Sequence, residues 1–576
     1  QNIIPDIVLF VNGLPLAVIE CKSPFITNPM EAGINQLLRY CNNRKPEENE
    51  GAEKLFYYNQ MLVSTYNKQA RLGTISSRYE HYLEWKDVYP KNIENFKNTT
   101  SQEVLIEGVF NHKNFLDIIR NFTIFEVVEG KTIKKITRYQ QYRAVHKTIE
   151  KITKGKNKKE KGGVIWHTQG SGKSLTMVFL AQVIRRNEEL KKYKLLYITD
   201  RTQLDTQLTT TFQNTQDETV LQADSVKDLR ELISKDSSDL ITSTIQKFQE
   251  IRGENLKVLN ESEKIIVLID EAHRTQYGTF GMVLNTVLPN AAKIAFTGTP
   301  LLKSQLTTGE FGDYIDKYTI EQSVEDGATL QILYEGREVK TRVEGESLDN
   351  LFEEYFSDKT EEEKNEIKRK YGIEKAVLEA PKRIEWVCLD IIKHYREKIQ
   401  PNGFKAMIVT SSRHAAVLYK NMLDKLNAPN SNVVISGDHN DPEELRKYTD
   451  SSEHKKIIKD FVEKDLSESK CHFIIVKDML LTGFDAPICQ VMYLDRKIMD
   501  HGLLQAIARV NRPKEGKQRG FVVDYYGLAS YLTSALDQFT QSDVAGVLKE
   551  LKDEIPKLDR AYNKVLEFFK DRDLED

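Results

Sequence analysis

Cysteine is scarce in this chain, and none of it sits where a structural metal or a redox pair would need it. The five cysteines (Cys21, Cys41, Cys388, Cys471 and Cys489) form no CxxC pair, and the 11 histidines do not join them at zinc spacing. This excludes a zinc ribbon or disulfide scaffold and fits a reducing compartment, so a cytoplasmic location is expected. Cys471 and His472, adjacent in an apolar segment, read as core. Long hydrophobic runs are missing too: none approaches the ~20 residues of a membrane-spanning helix, so no membrane partner is expected. Nor does charge of one sign accumulate, since 83 Lys and Arg face 86 Asp and Glu for a formal net charge of -3. No global basic field advertises a polyanion, and any grip on one must come from local grooves.

With 576 residues, the chain exceeds what one hydrophobic core supports, and three or more domains are expected. It opens at Gln1, without Met and almost inside its first motif, so the first fold is expected to be incomplete here. That motif is "PDIVLFVNGLPLAVIECK", two apolar runs joined by Asn12-Gly13, a strong hairpin signal. A two-residue turn pairing Val11 with Leu14 throughout would put Asp6 on the face opposite Glu20 and Lys22. A three-residue loop, Val11-Asn12-Gly13 with a glycine bulge, pairs Phe10 with Leu14 and Asp6 with Val18, aligning all three charges; this register is the expected one. Two neighbouring carboxylates repel unless a divalent cation sits between them, and oxygen ligands suit Mg2+. A lysine beside the metal can orient or deprotonate a water. Gln36 and Tyr40 in "QLLRY" fall one helical turn apart on one face.

From about residue 126 short apolar strands alternate with helical stretches. "GVIWHT", "KLLYITD", "DLITST", "KIIVLID" and "KIAFTGT" form one set; "KAMIVTS", "NVVISG", "CHFIIVKD", "VMYLD" and "GFVVDY" form another. Two doubly wound parallel sheets are the natural product, with functional residues at the carboxyl ends of their strands. The lysine-rich "KTIEKITKGKNKKEK" reads as a solvated loop, and 305–400 as a polar insertion containing an exposed helix.

"HTQGSGKS" has strand-loop-helix context. Gly170 and Gly172 admit phosphates to backbone amides, beside Thr168 and Ser171; Lys173 reaches the terminal phosphates and Ser174 holds Mg2+. His167 stands where the usual pattern has its first glycine. "VLIDEAH" ends an apolar strand with Asp270 for the ATP-bound Mg2+, Glu271 to position or activate the attacking water, and His273 as a sensor of nucleotide state.

The first stretch resembles the PD-(D/E)xK nuclease motif, with Asp6 and Glu20 as metal ligands and Lys22 as catalytic lysine; Gln36 and Tyr40 resemble the QxxxY element of one branch. The later motifs resemble the superfamily-2 helicase series in order. The resemblance implies adenine reading by Gln141, with Gln140 an alternative. It implies DNA contact or coupling by Asp200, Arg201, Thr244, Gln246, Thr297, Gly298, Thr299, Thr482 and Gln505. Gly483 and Asp485 of "TGFDAP" fall at the nucleotide, and Arg512 or Arg509 of "QAIARVNRP" serves as the arginine that neutralises γ-phosphate charge.

The combination resembles the restriction (R) subunit of Type I restriction-modification enzymes. That implies an α/β chain with a PD-(D/E)xK nuclease core at 1–125, RecA-like lobes at 126–315 and 316–535, and the start of a helical region at 536–576. It further implies an ATP- and Mg2+-dependent double-strand DNA translocase and endonuclease partnered by modification and specificity subunits. The alternatives are a Type III-like nuclease-motor fusion, disfavoured by the N-terminal nuclease, and an ATP-switched DNA-binding scaffold whose nuclease no longer cuts.

Overall fold

The computed structural model describes residues 2–44, 48–96, 99–128, 131–199, 220–251, 256–270, 277–299, 312–337, 348–481, 483–498, 500–528, 549–550, 560, 562 and 564. The chain divides into two compact units, Gln1–Thr319 and Ile320–Asp576.

The first unit begins with a four-stranded sheet in the order β1 (Ile7–Val11), β2 (Leu14–Lys22), β3 (Met61–Tyr66), β4 (Gln69–Gly73). β1 and β2 are the expected hairpin, but the register differs from the expected one. Val11 pairs with Leu14, so the turn has two residues, and Asn12 and Gly13 both have positive φ (50° and 81°), as the favoured hairpin turn demands. The register then shifts between Phe10 and Leu9: Phe10 faces Pro15 while Leu9 faces Ala17. The extra residue sits beside Pro15, which has no N–H to give to the ladder. Beyond it Ile7 pairs with Ile19, and Asp6, just before the strand, accepts the Cys21 amide and stands near enough to Glu20 to act on its carboxyl. The three charges come together past a bulge inside the strand rather than one in the loop.

The helix Pro29–Tyr40 packs over β2 and β3. Gly33 permits the approach, because a Cβ there would lie 2.2 Å from Ser64 Oγ. A separate hairpin, β5 (Thr123–Val128) and β6 (Lys131–Ile136), precedes the helix Tyr139–Lys154. The lysine-rich connector is therefore helical through Lys154 and again over Lys158–Lys161, not a loop. Buried Thr148 and Ile152 anchor one face of that helix, and Glu150 accepts from Lys154 a turn later.

A seven-stranded parallel sheet follows, ordered β13 (Tyr314–Tyr318), β7 (Gly163–His167), β12 (Ala292–Thr297), β11 (Ile265–Asp270), β8 (Lys194–Thr199), β10 (Leu240–Thr244), β9 (Val220–Gln222). The five expected strands are present, flanked by β9 and β13. β13 moves the first lobe's end past the expected 315, because Tyr314–Tyr318 pairs with β7.

The second unit holds another seven-stranded sheet, ordered β16 (Ser431–Val434), β17 (Phe473–Val476), β15 (Lys405–Thr410), β18 (Cys489–Asp495), β19 (Gly520–Asp524), β14 (Ile332–Gly336), β20 (Lys549–Glu550). Its five expected strands form, and β14 and β20 extend it. β20 falls in the segment expected to be helical; it pairs parallel with β14, whose open edge offers unpaired backbone groups. In the polar insertion, Glu361–Tyr371 is a helix with a Thr360–Glu363 capping box. Cys471 is buried and its thiol points at the Phe473 carbonyl, as a core residue should.

Both sheets repeat one device. Lys194 opens β8 and its buried ammonium donates to the carbonyls of Leu232, Ile233 and Lys235 at the end of the helix Val226–Ser234. Lys405 opens β15 and donates to Asp460, Phe461 and Lys464 carbonyls at the end of Ser451–Glu463, and to Ser469 Oγ. Burial pushes the Lys405 ammonium down to about 8. Each lysine satisfies helix-terminal carbonyls that otherwise lack donors. At about 1–3 kcal/mol per orphaned buried group, we expect Lys405→Met to lower the urea midpoint of the second unit clearly, while an exposed Lys456→Met leaves it unchanged.

Candidate active sites

The nuclease-like cluster grows from three elements. β2 carries Glu20 and Lys22, the chain leading into β1 carries Asp6, and the helix Pro29–Tyr40 brings Gln36 and Tyr40 over the strand. Lys22 Nζ donates to Glu20 Oε1 at 2.6 Å and to Gln36 Oε1 at 2.7 Å. Gln36 Nε2 in turn donates to Tyr40 Oη at 2.5 Å, and Tyr40 Oη donates to the Ile4 carbonyl at 2.8 Å. The Gln-Tyr pair thus fixes the lysine and ties the segment leading to Asp6 onto the helix. Asp6 Oδ2 accepts the Cys21 amide at 2.8 Å.

Glu20 is 1% exposed, and its Oε2 is buried with no hydrogen-bond donor. Burial pushes its carboxyl above the ordinary glutamate range; Lys22 opposes the shift and Asp6 adds to it. An orphaned carboxylate oxygen beside a second carboxylate is the chemistry of a hard-cation site, and Mg2+ takes one or two carboxylates while keeping several waters.

The loop expected to bind phosphate runs from Thr168 to Gly172, between β7 and the helix Lys173–Arg186. Gly170 and Gly172 have φ of 93° and 89°, which side chains rarely adopt, and no side chain caps the helix. A strand, a glycine turn and a helix N-terminus in this order are the setting that suits an anion. Ser171 closes the turn, its N–H and Oγ–H both donating to the Thr168 carbonyl. Lys173 is buried and Ser174 half-buried. Asp270, buried, ends β11, one strand removed from β7. Gln141 rather than Gln140 meets the loop: its Nε2 donates to the Gly172 carbonyl at 3.0 Å while its Oε1 accepts the Arg138 amide at 2.8 Å.

Family models match along the chain: the Type I restriction enzyme R protein N terminus at 1–81, the SWI2/SNF2 ATPase at 140–365, and Type I restriction enzyme subunit R domain 3 at 438–527. The Type I restriction enzyme HindI endonuclease subunit of Haemophilus influenzae is 36% identical over 582 residues, covering 95% of this chain and 54% of that protein. A Methanocaldococcus jannaschii protein named for the type I restriction enzyme MjaIXP endonuclease subunit is 34% identical over 601 residues, covering 99% and 56%. The chain belongs to the Type I restriction R-subunit family. It spans about half the length of these curated relatives. In fold it is similar to the solved structure of the ATP-dependent Type ISP restriction-modification enzyme LlaBIII bound to DNA, with TM-score 0.51 and 14% identity over 76% of this chain and 34% of that one.

Elsewhere in the R-subunit chain, Thr297 Oγ1 donates to the Thr299 carbonyl at 2.7 Å and accepts its amide at 3.2 Å, so the buried threonine shapes its turn. Thr244 is buried at the end of β10, with Gln246 in the helix that follows. In the second unit Arg509 is 2% exposed and donates to the Phe484 and Gln505 carbonyls, an occupation that suits a strut. Arg512 lies 3.3 Å from the exposed Asp485 carboxylate, bringing two expected site residues together; Gly483 has a φ of 73° and Gln505 is buried. Asp200, Arg201, Glu271, His273 and Thr482 lie outside the described residues. Sequence reasoning missed Gly33, Asp87, Arg143 and Asp316, whose roles arise only from contacts distant in the chain.

Because the folded Glu20 carboxyl holds its proton above the ordinary range, its ionised form costs stability as pH rises through that window, and a bound cation relieves the cost. We expect Mg2+ without nucleotide to raise the melting temperature near neutral pH and to lose this effect as protons compete at lower pH. Glu20→Gln should abolish the Mg2+ response and remove the loss of metal-free stability on raising pH through the Glu20 window.

Proposed function

We propose that this chain is the motor and nuclease part of an R subunit that uses ATP hydrolysis to move double-stranded DNA and cuts it away from a recognition site. The observation that supports this most is one chain holding an Asp6/Glu20/Lys22 cluster with an orphaned carboxylate oxygen together with a strand-loop-helix phosphate site. Membership of the R-subunit family supports the partners: double-stranded DNA, and modification and specificity subunits that would read the site and its methylation. The proposed setting is the cytoplasm. No helix among the described residues is long and apolar enough to cross a membrane.

In this reading Asp6 and Glu20 would hold a Mg2+ that stabilises charge on the scissile phosphodiester. Lys22, steered by Gln36 and Tyr40, orients or deprotonates the attacking water. In the motor, the amides around Gly170–Ser174 and the Lys173 ammonium bind the ATP phosphates, with Ser174 and Asp270 as the residues for its Mg2+. Glu271 positions the hydrolytic water, His273 responds to the nucleotide, and Arg512 is the arginine that offsets phosphate charge. Gln141 reads the adenine, and Arg201, Thr244, Thr297, Thr299, Thr482 and Gln505 transmit between nucleotide and DNA.

The test combines the full-length protein with its modification and specificity subunits on unmethylated circular DNA, with Mg2+ and with or without ATP. We expect cleavage only with ATP and partners, at positions distant from a single site. Lys173→Ala should abolish hydrolysis and cleavage together. Lys22→Ala should stop cleavage and spare hydrolysis, and Gln36→Ala should slow cleavage by about tenfold through the misplaced lysine. Cleavage without ATP would point to an independent nuclease, and hydrolysis without cleavage to a switched scaffold.

A further inference from the structure

His167 departs from the usual phosphate-loop pattern, where a glycine begins the loop, and the structure shows where its side chain goes. The ring is fully buried at the last position of β7 and its Nε2 lies 3.0 Å from Asp316 Oδ2. Burial lowers the pKa of the ring, and Asp316 only partly opposes this. An ionised carboxylate can only accept, so Nε2 carries a proton and donates.

Asp316 is held from three further directions. Arg143 Nε donates to Oδ1 at 2.8 Å, Arg143 Nη2 to Oδ2 at 2.9 Å, and Lys147 Nζ to Oδ1 at 2.9 Å. Burial pushes this carboxyl up, but the His167 hydrogen bond and the Arg143 charge outweigh it and hold it well below the usual range. Arg143 is itself fixed, since Nη1 donates to Asp87 Oδ2 at 2.7 Å and Nη2 to the Lys317 carbonyl at 3.0 Å.

The loop is thus tethered at both ends by one helix. At its entrance the route is His167, Asp316, Arg143; at its exit Gln141, two residues before Arg143, donates to the Gly172 carbonyl. A backbone bond from the Thr168 amide to the Tyr318 carbonyl, 3.0 Å, reinforces the entrance from the same strand as Asp316. Buried ionic clusters are poor sources of net stability compared with apolar packing, so fixing geometry is what this one offers.

We propose that Asp316 is a positioning residue for the phosphate-binding loop, holding its entrance through His167 so that the loop amides are preorganised for ATP. The proposal rests on the reading of that loop as the ATP site. Amides that bind the phosphates equally in ground and transition states affect substrate affinity more than turnover.

The experiment is a double-mutant cycle on Asp316→Asn and His167→Gly in the full-length protein. It reads the Kd for a fluorescent ATP analogue, and KM and kcat for ATP hydrolysis in the assembled enzyme. We expect each single variant to weaken analogue binding and raise KM by about tenfold, with kcat altered by less than about threefold. In the His167→Gly background, Asp316→Asn should add nothing. Additive effects, or an unchanged Kd in Asp316→Asn, overturn the proposal. Should Asp316→Asn not fold, Arg143→Lys keeps the charge but loses the fork; its smaller weakening must likewise vanish in the His167→Gly background, and its persistence overturns the proposal. If the wild-type protein does not bind the analogue, or Lys173→Ala binds it equally well, the nucleotide reading itself falls and the proposal with it. Analogue binding with an additive cycle removes the proposal alone.

Discussion

The strands β7, β8, β10 and β11 are buried from first residue to last, and in a parallel sheet covered on both faces this leaves only the strand ends for chemistry. The candidate residues at the strand ends of the first unit follow from that constraint. His167 and the phosphate loop end β7, Asp270 ends β11, Thr244 ends β10 and Thr297 ends β12. At the opposite ends, Lys194 and Lys405 open their strands and neutralise carbonyls at helix termini. Charge at the two ends of the sheet thus does different work: fixed lysines complete hydrogen bonding at one, and groups able to meet a ligand gather at the other.

This is also why so much was legible. A strand buried on both faces is an unbroken apolar run, and the residues just after it stand out against that background; all ten strands expected for the two parallel sheets are present. The N-terminal hairpin was harder. Alternation and Asn12-Gly13 identify it, and the approach of Asp6 to Glu20 was anticipated, but the device was not, because the register depends on a bulge next to Pro15 that turn rules do not reveal. Asp316 was invisible for a different reason. It sits in "DYIDKY", a short run with three charges, and only pairing with β7 makes it a strand of the first sheet and buries its carboxylate.

The helix Tyr139–Lys154 joins parts that the sequence presents as separate. Tyr142 and His146 both reach Asp117, 2.9 and 2.8 Å away, on the helix His112–Asn121. Arg143 reaches Asp87 on one side and Asp316 on the other, and Gln141 reaches the phosphate loop. Four residues within two turns of a single helix therefore connect the nuclease-like region to the root of the candidate phosphate loop. Side chains that also pack, such as Tyr142 against Phe122 and His146, make that connection stiff rather than merely electrostatic.

Two buried carboxylates show how the same burial gives opposite outcomes. Glu20 and Asp316 are each 1% exposed as side chains, so desolvation raises both. Asp316 has four donors on its two oxygens, including a guanidinium fork, and remains ionised. Glu20 has one ammonium on Oε1 and nothing on Oε2, with Asp6 adding negative charge nearby. A fully satisfied carboxylate fixes its neighbours in place. A half-satisfied one retains coordinating capacity that a cation alone, among common ligands, supplies without adding steric bulk. The distribution of donors, more than burial, separates the anchor from the candidate ligand.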